Sequence, residues 1–427
     1  MSDVSITDVT SDEVSVPGDS LAGPSLAEFE AARVTVSEVV ETTPMESSRY
    51  LSDVLGAEVW LKCENLQRTG SYKIRGAYNR LVHLSDDDKA RGVVAASAGN
   101  HAQGVAFAAR ELGIRSTIFM PIGVALPKLS ATREYGADVE LSGHIVDETL
   151  RAAAAFADET GAVFIHPFDH ADVVAGQGTL GLEILDQRPD VDTIVVPIGG
   201  GGLISGVASA VKQKAALLGR TVRIVGVQAA NSASYPISLV NGQPTEIKAL
   251  PTIADGIAVS KPGELNFEII TEVVDEVVTV EEDDIAKALL VLLERAKLVV
   301  EPAGAVSVAA ILAGKVTPTG TTVAILSGGN IDPLVMERII SHGLAASERY
   351  LKLRIPLPDR PGQLARTAQI VSDSNANVVE VLHTRHGTGL QISEVELELH
   401  IETRGPEHAE LVLHNLREAG YRPRVDF

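Results

Sequence analysis

The sequence predicts an α/β protein built on parallel sheets, followed by a smaller C-terminal unit of a different class. Short apolar segments alternate with alanine-rich helical segments from about residue 25 to about residue 345. Several of these segments have runs of consecutive apolar residues rather than an alternating pattern, which is typical of strands buried on both faces. Residues 349–427 follow the order strand, helix, strand, strand, helix, strand, which indicates a small ferredoxin-like unit.

The length and the charge of the chain restrict its domain number and its partners. At ~150 residues per domain, 427 residues predict two or three domains, with ample length for a large core. The chain carries 57 acidic and 36 basic residues, and its formal net charge is −21. Because a protein that neutralises a polyanion needs a basic surface, we expect no nucleic-acid partner.

Cysteine usage and charge placement indicate the compartment. The single cysteine, Cys63, excludes an internal disulfide and a thiolate metal cluster, and it favours a reducing, cytoplasmic setting. The first basic residue is Arg33, whereas a signal or transit peptide needs an early positive charge, so we expect none. The most membrane-like uncharged stretch, 193–211, contains Pro197 and four consecutive glycines, so we expect no membrane span.

The predicted elements begin after an N-terminal arm. Residues 1–24 are rich in Ser, Thr, Asp and Val and are expected to be disordered. Ser25 and Glu28 predict a capping box at the first helix. In the α/β region that follows, helices alternate with strands predicted at 93–97, 116–120, 138–142, 193–199, 223–228 and 322–329.

The C-terminal unit has its own pattern and its own charge. Its strands are predicted at 350–357, 377–385, 390–402 and 421–427, and its helices at 363–377 and 405–420. Charged and apolar residues alternate from Glu394 to Glu398, which predicts a strand with one solvent-facing side. This unit has a net charge near zero, so nearly all of the negative charge belongs to the rest of the chain.

A lysine lies where a polar turn leads into a predicted helix, in the segment TGSYK that ends at Lys73. The helix macrodipole disfavours an ammonium group at this position. Lys73 is therefore either an ordinary solvent-facing lysine or a lysine of depressed pKa that acts as a Schiff-base nucleophile.

Two loops each follow a predicted strand and precede a predicted helix. The backbone N–H groups of SAGNHAQG, 97–104, suit a carboxylate, although an ordinary turn capped by Ser97 is an alternative. The glycines of GGGGL, Gly199–Leu203, allow backbone amides to surround a phosphate. This loop matches neither the P-loop nor the Gly-x-Gly-x-x-Gly pattern, and a flexible loop is a poor fit between two buried elements.

A fourth segment, SGGN from Ser327 to Asn330, follows the last predicted strand of the α/β region. The carboxyl ends of parallel strands are where open sheets place ligands. The Ser327 hydroxyl is therefore a candidate hydrogen-bond partner for a ring nitrogen, and a plain turn is the alternative.

Together, in this order and spacing, the four motifs resemble the fold-type II pyridoxal-phosphate family that includes the threonine and serine dehydratases, over about residues 26–345. The segment DRPGQL, Asp359–Leu364, resembles the ACT domain, a regulatory module that commonly binds amino acids. The combination resembles the medium-length threonine ammonia-lyases. It implies a two-lobed catalytic unit over 25–345, with a small lobe at about 63–160 inserted in the large lobe, and an ACT domain over 349–427.

The resemblance implies a role for each motif. Lys73 corresponds to the lysine that holds the cofactor and acts as the catalytic base, and Tyr72 corresponds to an aromatic residue beside it. Asn100 corresponds to the asparagine that binds the cofactor's 3′-oxygen, and Ser327 to the serine that faces the pyridine nitrogen. The remaining implied sites are the phosphate loop (Gly199, Gly200, Gly201, Gly202 and Leu203) and the substrate carboxylate loop (Ser97, Ala98, Gly99, Asn100 and His101).

The implied reaction is β-elimination from L-threonine, giving 2-oxobutanoate and ammonia. A neutral serine at the ring nitrogen favours loss of the β-hydroxyl over transamination. Family racemases have a second acid/base serine where this chain has Ala98, so racemisation is expected to be minor.

Gln228 stands where eukaryotic-type racemases have a metal-binding glutamate, so we expect no divalent metal, and the binding of a monovalent ion stays open. His101 is expected to be structural, and the role of Glu301 is open.

Several alternatives remain at this point. An L-serine dehydratase shares the same chemistry, a non-catalytic ACT sensor belongs to another class, and a dinucleotide oxidoreductase lacks its glycine fingerprint here. The resemblance also implies a homotetramer that is regulated by an amino acid or a nucleotide. It fits either isoleucine biosynthesis or threonine catabolism. The expected effector site comprises Asp359, Pro361, Gly362 and Leu364.

Overall fold

The computed structural model describes residues 22–144, 146–385 and 393–426 of the chain. The first 21 residues of the predicted disordered arm lie outside the described residues. The capping box at the first helix is confirmed, because Ser25 and Glu28 bond reciprocally to each other's backbone N–H groups.

The described residues form three sheets. Their strands, in chain order, are β1 (Met45–Ser47), β2 (Val59–Lys62), β3 (Val93–Ala96), β4 (Ser116–Met120), β5 (Asp138–Leu141), β6 (Val163–Phe164), β7 (Thr193–Pro197), β8 (Arg223–Ala229), β9 (Glu276–Val280), β10 (Thr322–Ile325), β11 (Tyr350–Pro358), β12 (Asn377–Thr384), β13 (Glu394–Glu402) and β14 (Arg424–Asp426).

Helices surround these sheets. In chain order they are α1 (Leu26–Val36), α2 (Arg49–Leu55), α3 (Lys73–Val82), α4 (Asp86–Arg91), α5 (Asn100–Glu111), α6 (Leu126–Glu134), α7 (Val146–Thr160), α8 (Ala171–Gln187), α9 (Gly202–Leu217), α10 (Ser234–Asn241), α11 (Glu264–Val273), α12 (Glu282–Val291), α13 (Pro302–Leu312), α14 (Pro333–Ala346), α15 (Gln363–Asp373) and α16 (Pro406–Glu418).

The larger sheet of the α/β region has six strands in the order β1-β2-β10-β7-β8-β9, all parallel except β1. All residues of β7 and of β10 are buried, as predicted for strands covered on both faces. Side chains alternate between two cores, since Ile194 packs into the core that includes α8 and α9 residues, and Val195 into the core that includes α12 and α13 residues. The predicted parallel α/β class is confirmed.

The second sheet is smaller and fully parallel, in the order β5-β4-β3-β6. Its strand β3 ends at Ala96, immediately before the predicted carboxylate loop, and β3 is buried along its whole length. The loop is therefore held at the carboxyl end of a rigid strand.

The C-terminal unit has the predicted strand and helix order, and its sheet is antiparallel in the order β12-β13-β11-β14. Apolar residues of β11 and β13 form a separate core with α15 and α16 residues. The side predicted to face solvent is half-buried rather than open, because Glu398 is only 15% exposed and pairs with Lys352 at 3.0 Å. Within the described ranges, no helix combines the length and the apolar character that a membrane span needs.

Candidate active site

Lys73 begins α3, as the polar turn predicted, and its side chain is partly buried. Its Nζ atom donates a hydrogen bond to the carbonyl oxygen of Pro167 at 3.0 Å. Burial lowers the pKa of Lys73 to about 8, and the nearby Glu301 carboxyl opposes this shift. A substantial fraction of this amine is therefore neutral near pH 8, as a base requires.

The tetraglycine loop lies next to the segment that Lys73 contacts. Phe168 follows Pro167, and a Cβ atom on Gly200 would lie 2.3 Å from the Phe168 ring. Gly201 has a φ of +105°, and a Cβ atom there would lie 2.1 Å from the Tyr235 hydroxyl. Side chains are therefore excluded from this loop by both space and backbone conformation.

The backbone N–H groups of Gly199–Leu203 have no hydrogen-bond partner among the described residues. They stand at the N-terminus of α9, where the helix dipole favours an anion. Unpartnered donors, with no side chains to cover them, fit a phosphate group. The residues present thus fit the phosphate of a pyridoxal-phosphate cofactor.

Ser327 lies beside the lysine turn. Its carbonyl oxygen accepts a hydrogen bond from Tyr72 N at 3.1 Å, and Gly328 forms an isolated antiparallel bridge with Ser71. Ser327 is 4% exposed, and its hydroxyl has no partner within the described part of the chain. The hydroxyl is therefore free to bond a ring nitrogen. The Tyr72 ring is partly buried, with its centroid 5.3 Å from Lys73 Nζ.

An amide network joins three of the motifs. Asn330 Nδ2 donates to Asn100 Oδ1 at 2.8 Å and to the Thr69 carbonyl oxygen at 2.7 Å. Asn100 Nδ2 donates in turn to Glu301 Oε1 at 2.5 Å. The network fixes the orientation of the Asn100 side chain relative to the turn that carries Lys73.

Glu301 is the buried acid of this network, and it is 5% exposed. Burial raises the pKa of Glu301 to about 7, and Asp255 raises it further, whereas Lys128 and the Asn100 hydrogen bond lower it. This carboxyl group therefore exchanges its proton close to neutral pH.

The predicted carboxylate loop has an anion-binding geometry. Ser97 Oγ accepts a hydrogen bond from Gly99 N at 3.1 Å, which shapes the turn before α5. The N–H groups of Asn100, His101 and Ala102, at the start of α5, have no partner among the residues described. The helix N-terminus thus offers free donors to a carboxylate.

The surroundings of His101 do not favour a role as a general acid or base. It is 5% exposed, and its Nε2 atom bonds to the Ile165 carbonyl oxygen at 2.9 Å. Burial and the charge of Lys73 lower the pKa of His101 to about 3, so the ring stays neutral. The position supports the structural role expected from the sequence.

Other predicted positions lie outside this cluster. Gln228 is fully buried, and its Oε1 atom accepts from the Tyr235 backbone N–H at 2.9 Å. The expectation that no divalent metal binds there stays a prediction. The predicted effector residues lie on the C-terminal unit, at the turn from β11 into α15 (Asp359, Pro361, Gly362 and Leu364).

Sequence reasoning missed Pro167 and Phe168, because no motif marks the segment that contains them. It also gave no role to Asn330, although Asn330 ends the SGGN segment. The available signal was its place at the carboxyl end of a buried strand, where ligand-site residues collect.

Comparisons with known proteins agree with this geometry. A family model described as "Pyridoxal-phosphate dependent enzyme" matches residues 36–328. An L-threonine ammonia-lyase of Thermotoga maritima is 48% identical over 402 residues, covering 94% of this chain and 99% of that protein.

Two solved structures share the fold over most of the chain. The processed form of threonine deaminase isoform 2 from Solanum lycopersicum has a TM-score of 0.71 and 35% identity, covering 77% of this chain and 98% of that one. Maize serine racemase has a TM-score of 0.69 and 34% identity, covering 76% and 98%.

Proposed function

Because the chain belongs to the family of pyridoxal-phosphate-dependent enzymes, we propose that it is an L-threonine ammonia-lyase, which converts L-threonine to 2-oxobutanoate and ammonia. The observation that carries the proposal is the convergence of Lys73, the tetraglycine loop, Asn100 and Ser327. The Pro167–Phe168 segment links the first two, and the Asn330 network links Asn100 to the Lys73 turn.

Bound pyridoxal phosphate supplies a conjugated ring that accepts the electron pair released at the substrate's α-carbon. The N–H groups of Gly199–Leu203 would hold its phosphate, Asn100 its 3′-oxygen and Ser327 its ring nitrogen. The loop N–H groups and the Ser327 hydroxyl have no partner among the described residues, and the amide network orients Asn100.

Lys73 acts as the general base. Because its pKa is lowered to about 8, more of this amine is neutral near neutral pH than in an ordinary lysine, and the neutral amine takes the proton from the substrate's α-carbon. The Pro167 carbonyl oxygen gives the free amine a defined position. Ser327, which carries no charge, does not stabilise a positive charge on the ring nitrogen as a carboxylate would. The site therefore favours loss of the β-hydroxyl over transamination.

The substrate carboxylate binds at the N-terminus of α5. Ala98, in the loop before this helix, determines whether racemisation competes with elimination. A methyl group cannot deliver a proton to the opposite face of the α-carbon. Elimination should therefore dominate over racemisation, although maize serine racemase has the same fold.

Replacing Lys73 tests the proposal. The purified protein should be yellow, and borohydride should bleach this colour while it attaches the cofactor covalently to Lys73. With L-threonine it should release 2-oxobutanoate, and we expect Lys73→Ala to lose at least ~1000-fold in kcat. Lys315→Ala, which changes an exposed lysine shortly after α13, is the control. A colourless protein that binds no added cofactor would overturn the proposal, and it would favour the non-catalytic sensor. A strong preference for L-serine would favour the serine dehydratase.

The C-terminal unit is proposed to be an ACT domain that regulates a cytoplasmic homotetramer. Its effector would be an amino acid or a nucleotide, bound at the exposed turn Asp359–Leu364, where Asp359 pairs with Arg385 at 3.4 Å. Titrating isoleucine, valine and nucleotides into the wild type and into Gly362→Val tests this proposal. Light scattering tests the tetramer. Identical titrations in both proteins would exclude effector binding at this turn.

A further inference from the structure

A cation from α6 reaches the loop that is proposed to hold the substrate carboxylate. A Cβ atom on Gly99 would lie 3.9 Å from Lys128 Nζ. Gly99 immediately precedes α5, whose first N–H groups lack partners in the described part of the chain. The Lys128 side chain is only 16% exposed, so its ammonium group is held near these donors rather than extended into solvent.

The partner that the structure gives this ammonium group comes from the other side of the site. Lys128 Nζ lies 3.0 Å from Asp255 Oδ2, and Asp255 is 64% exposed. Because the carboxylate is largely in water, such a pair contributes little to stability and can exchange partners.

The turn that carries Asp255 is built into the site. It is a 3₁₀ helix, Asp255–Ile257. A Cβ atom on Gly256 would lie 3.8 Å from Glu301 Oε1, and a Cβ atom on Gly199 would lie 3.2 Å from Ile257 Cα. The turn that carries Asp255 therefore packs against the phosphate loop and lies near Glu301. Lys128 belongs to α6, which packs against α5.

We propose that Lys128 is a substrate-binding residue that pairs with the α-carboxylate of the amino acid, together with the N-terminus of α5. Asp255 is the partner that Lys128 leaves when the substrate arrives. This inference rests on the proposed function, and it makes a free carboxylate, rather than an amide or a peptide bond, the group that the site selects. Without Lys128, Asp255 would repel an incoming carboxylate, because two like charges would share one opening of the site.

The test compares a carboxylate with its amide. L-2-Aminobutyrate keeps the amine and the carboxylate of threonine but has no hydroxyl to eliminate, and L-2-aminobutyramide also lacks the carboxylate. Binding of both to the holoenzyme is measured by spectral titration in the wild type and in Lys128→Met. Lys212→Met is the matched control, because Lys212 also forms an ion pair, with Asp275 at 2.7 Å, on the far part of α9.

We expect Lys128→Met to weaken binding of L-2-aminobutyrate by roughly 10- to 100-fold, the range for a charge-assisted contact. Binding of the amide should change less than about twofold, and KM for L-threonine should rise more than kcat falls. Equal affinities in Lys128→Met and the wild type would overturn the inference, as would equal losses for the carboxylate and the amide. A wild type that binds L-2-aminobutyrate but releases no 2-oxobutanoate from threonine would instead overturn the proposed function.

Discussion

Glu301 connects the chemistry of the site to pH. Its pKa is raised from the ordinary glutamate range to about 7 by burial, so the folded protein holds this proton at pH values where the unfolded chain has released it. Stability therefore falls as pH rises from about 4.5 to about 7, and the cost of the buried charge is complete above that range.

Glu301→Gln should remove this pH-dependent cost. Glutamine keeps an oxygen to accept the Asn100 hydrogen bond but has no proton to lose. The difference in unfolding free energy between the variant and the wild type should increase by roughly 1–3 kcal/mol from pH 5 to pH 8, in favour of the variant. Urea titrations of the cofactor-free protein at both pH values measure the gain. Glu268→Gln, which changes an exposed carboxyl, is the control. A difference that does not vary with pH would show that Glu301 does not titrate in this range.

At the level of single residues, the sequence predicts the motif residues but not the residues that position them. Lys73, Asn100 and Ser327 stand in short patterns whose residue types already indicate a chemistry. Asn330 and Phe168 act through contacts with residues that are distant in the chain. Asn330 and Asn100, for example, are 230 residues apart. No local pattern records such a contact, because it depends on how the sheets bring the loops together.

The loop between β7 and α9 is the element whose shape is most restricted. Gly201→Ala should weaken cofactor retention at least tenfold, because the new Cβ atom would meet the Tyr235 hydroxyl and would stand in a left-handed backbone region. Gly219→Ala is the matched control. Gly219 also has a positive φ, +66°, but nothing lies within 4 Å of its Cβ position. Equal cofactor dissociation rates in the two variants would mean that backbone strain alone, and not the crowded cradle, explains the effect.

The start of α3 is held by buried charges two residues beyond Lys73. Arg75 is 1% exposed and bonds to Glu64 at 2.8 Å and to Glu183 at 2.9 Å. Lys62, at the end of β2, completes the cluster through Glu183 at 2.5 Å. Removing one member of such a cluster leaves an uncompensated buried charge.

Arg75→Met should therefore destabilise the protein by about 3–5 kcal/mol, measured by urea unfolding. Arg80→Met lies on the same helix and removes a pair with Asp172 that is partly exposed to solvent, so it should cost less than about 1 kcal/mol. If the two variants were equally stable, the buried cluster would not be the anchor of α3.

Strands were predictable where most of their residues are apolar. The strands β3, β4, β7 and β10 begin at the predicted residues. The strands β1, β2, β6 and β9 were not predicted. The last residue of β2 is Lys62, whose charge argues against a buried strand until its distant partner Glu183 is known. The segment TVAILSGG was predicted as strand to its end, but β10 stops at Ile325, and the residues that follow form the site.

At the scale of the whole molecule, the uneven charge matches a division of the fold. The C-terminal unit is nearly neutral and has its own apolar core, whereas most of the negative charge lies in the α/β region. A contact between the two parts is the half-exposed ion pair of Arg349 with Glu294 at 2.6 Å, and such pairs contribute little stability. We therefore expect the C-terminal unit to unfold separately from the rest.

Leu397→Ala tests this independence. Leu397 is fully buried in the core of the C-terminal unit, so the truncation should cost about 2–5 kcal/mol there. Calorimetry should show one transition moving to lower temperature while a second keeps its midpoint, and the absorption of the bound cofactor should persist through the first transition. Leu411→Ala, which changes a leucine that is 47% exposed on α16, should move neither. A single transition that shifts as a whole would show that the two parts fold as one cooperative unit, and that this interface is much stronger than a half-exposed ion pair implies.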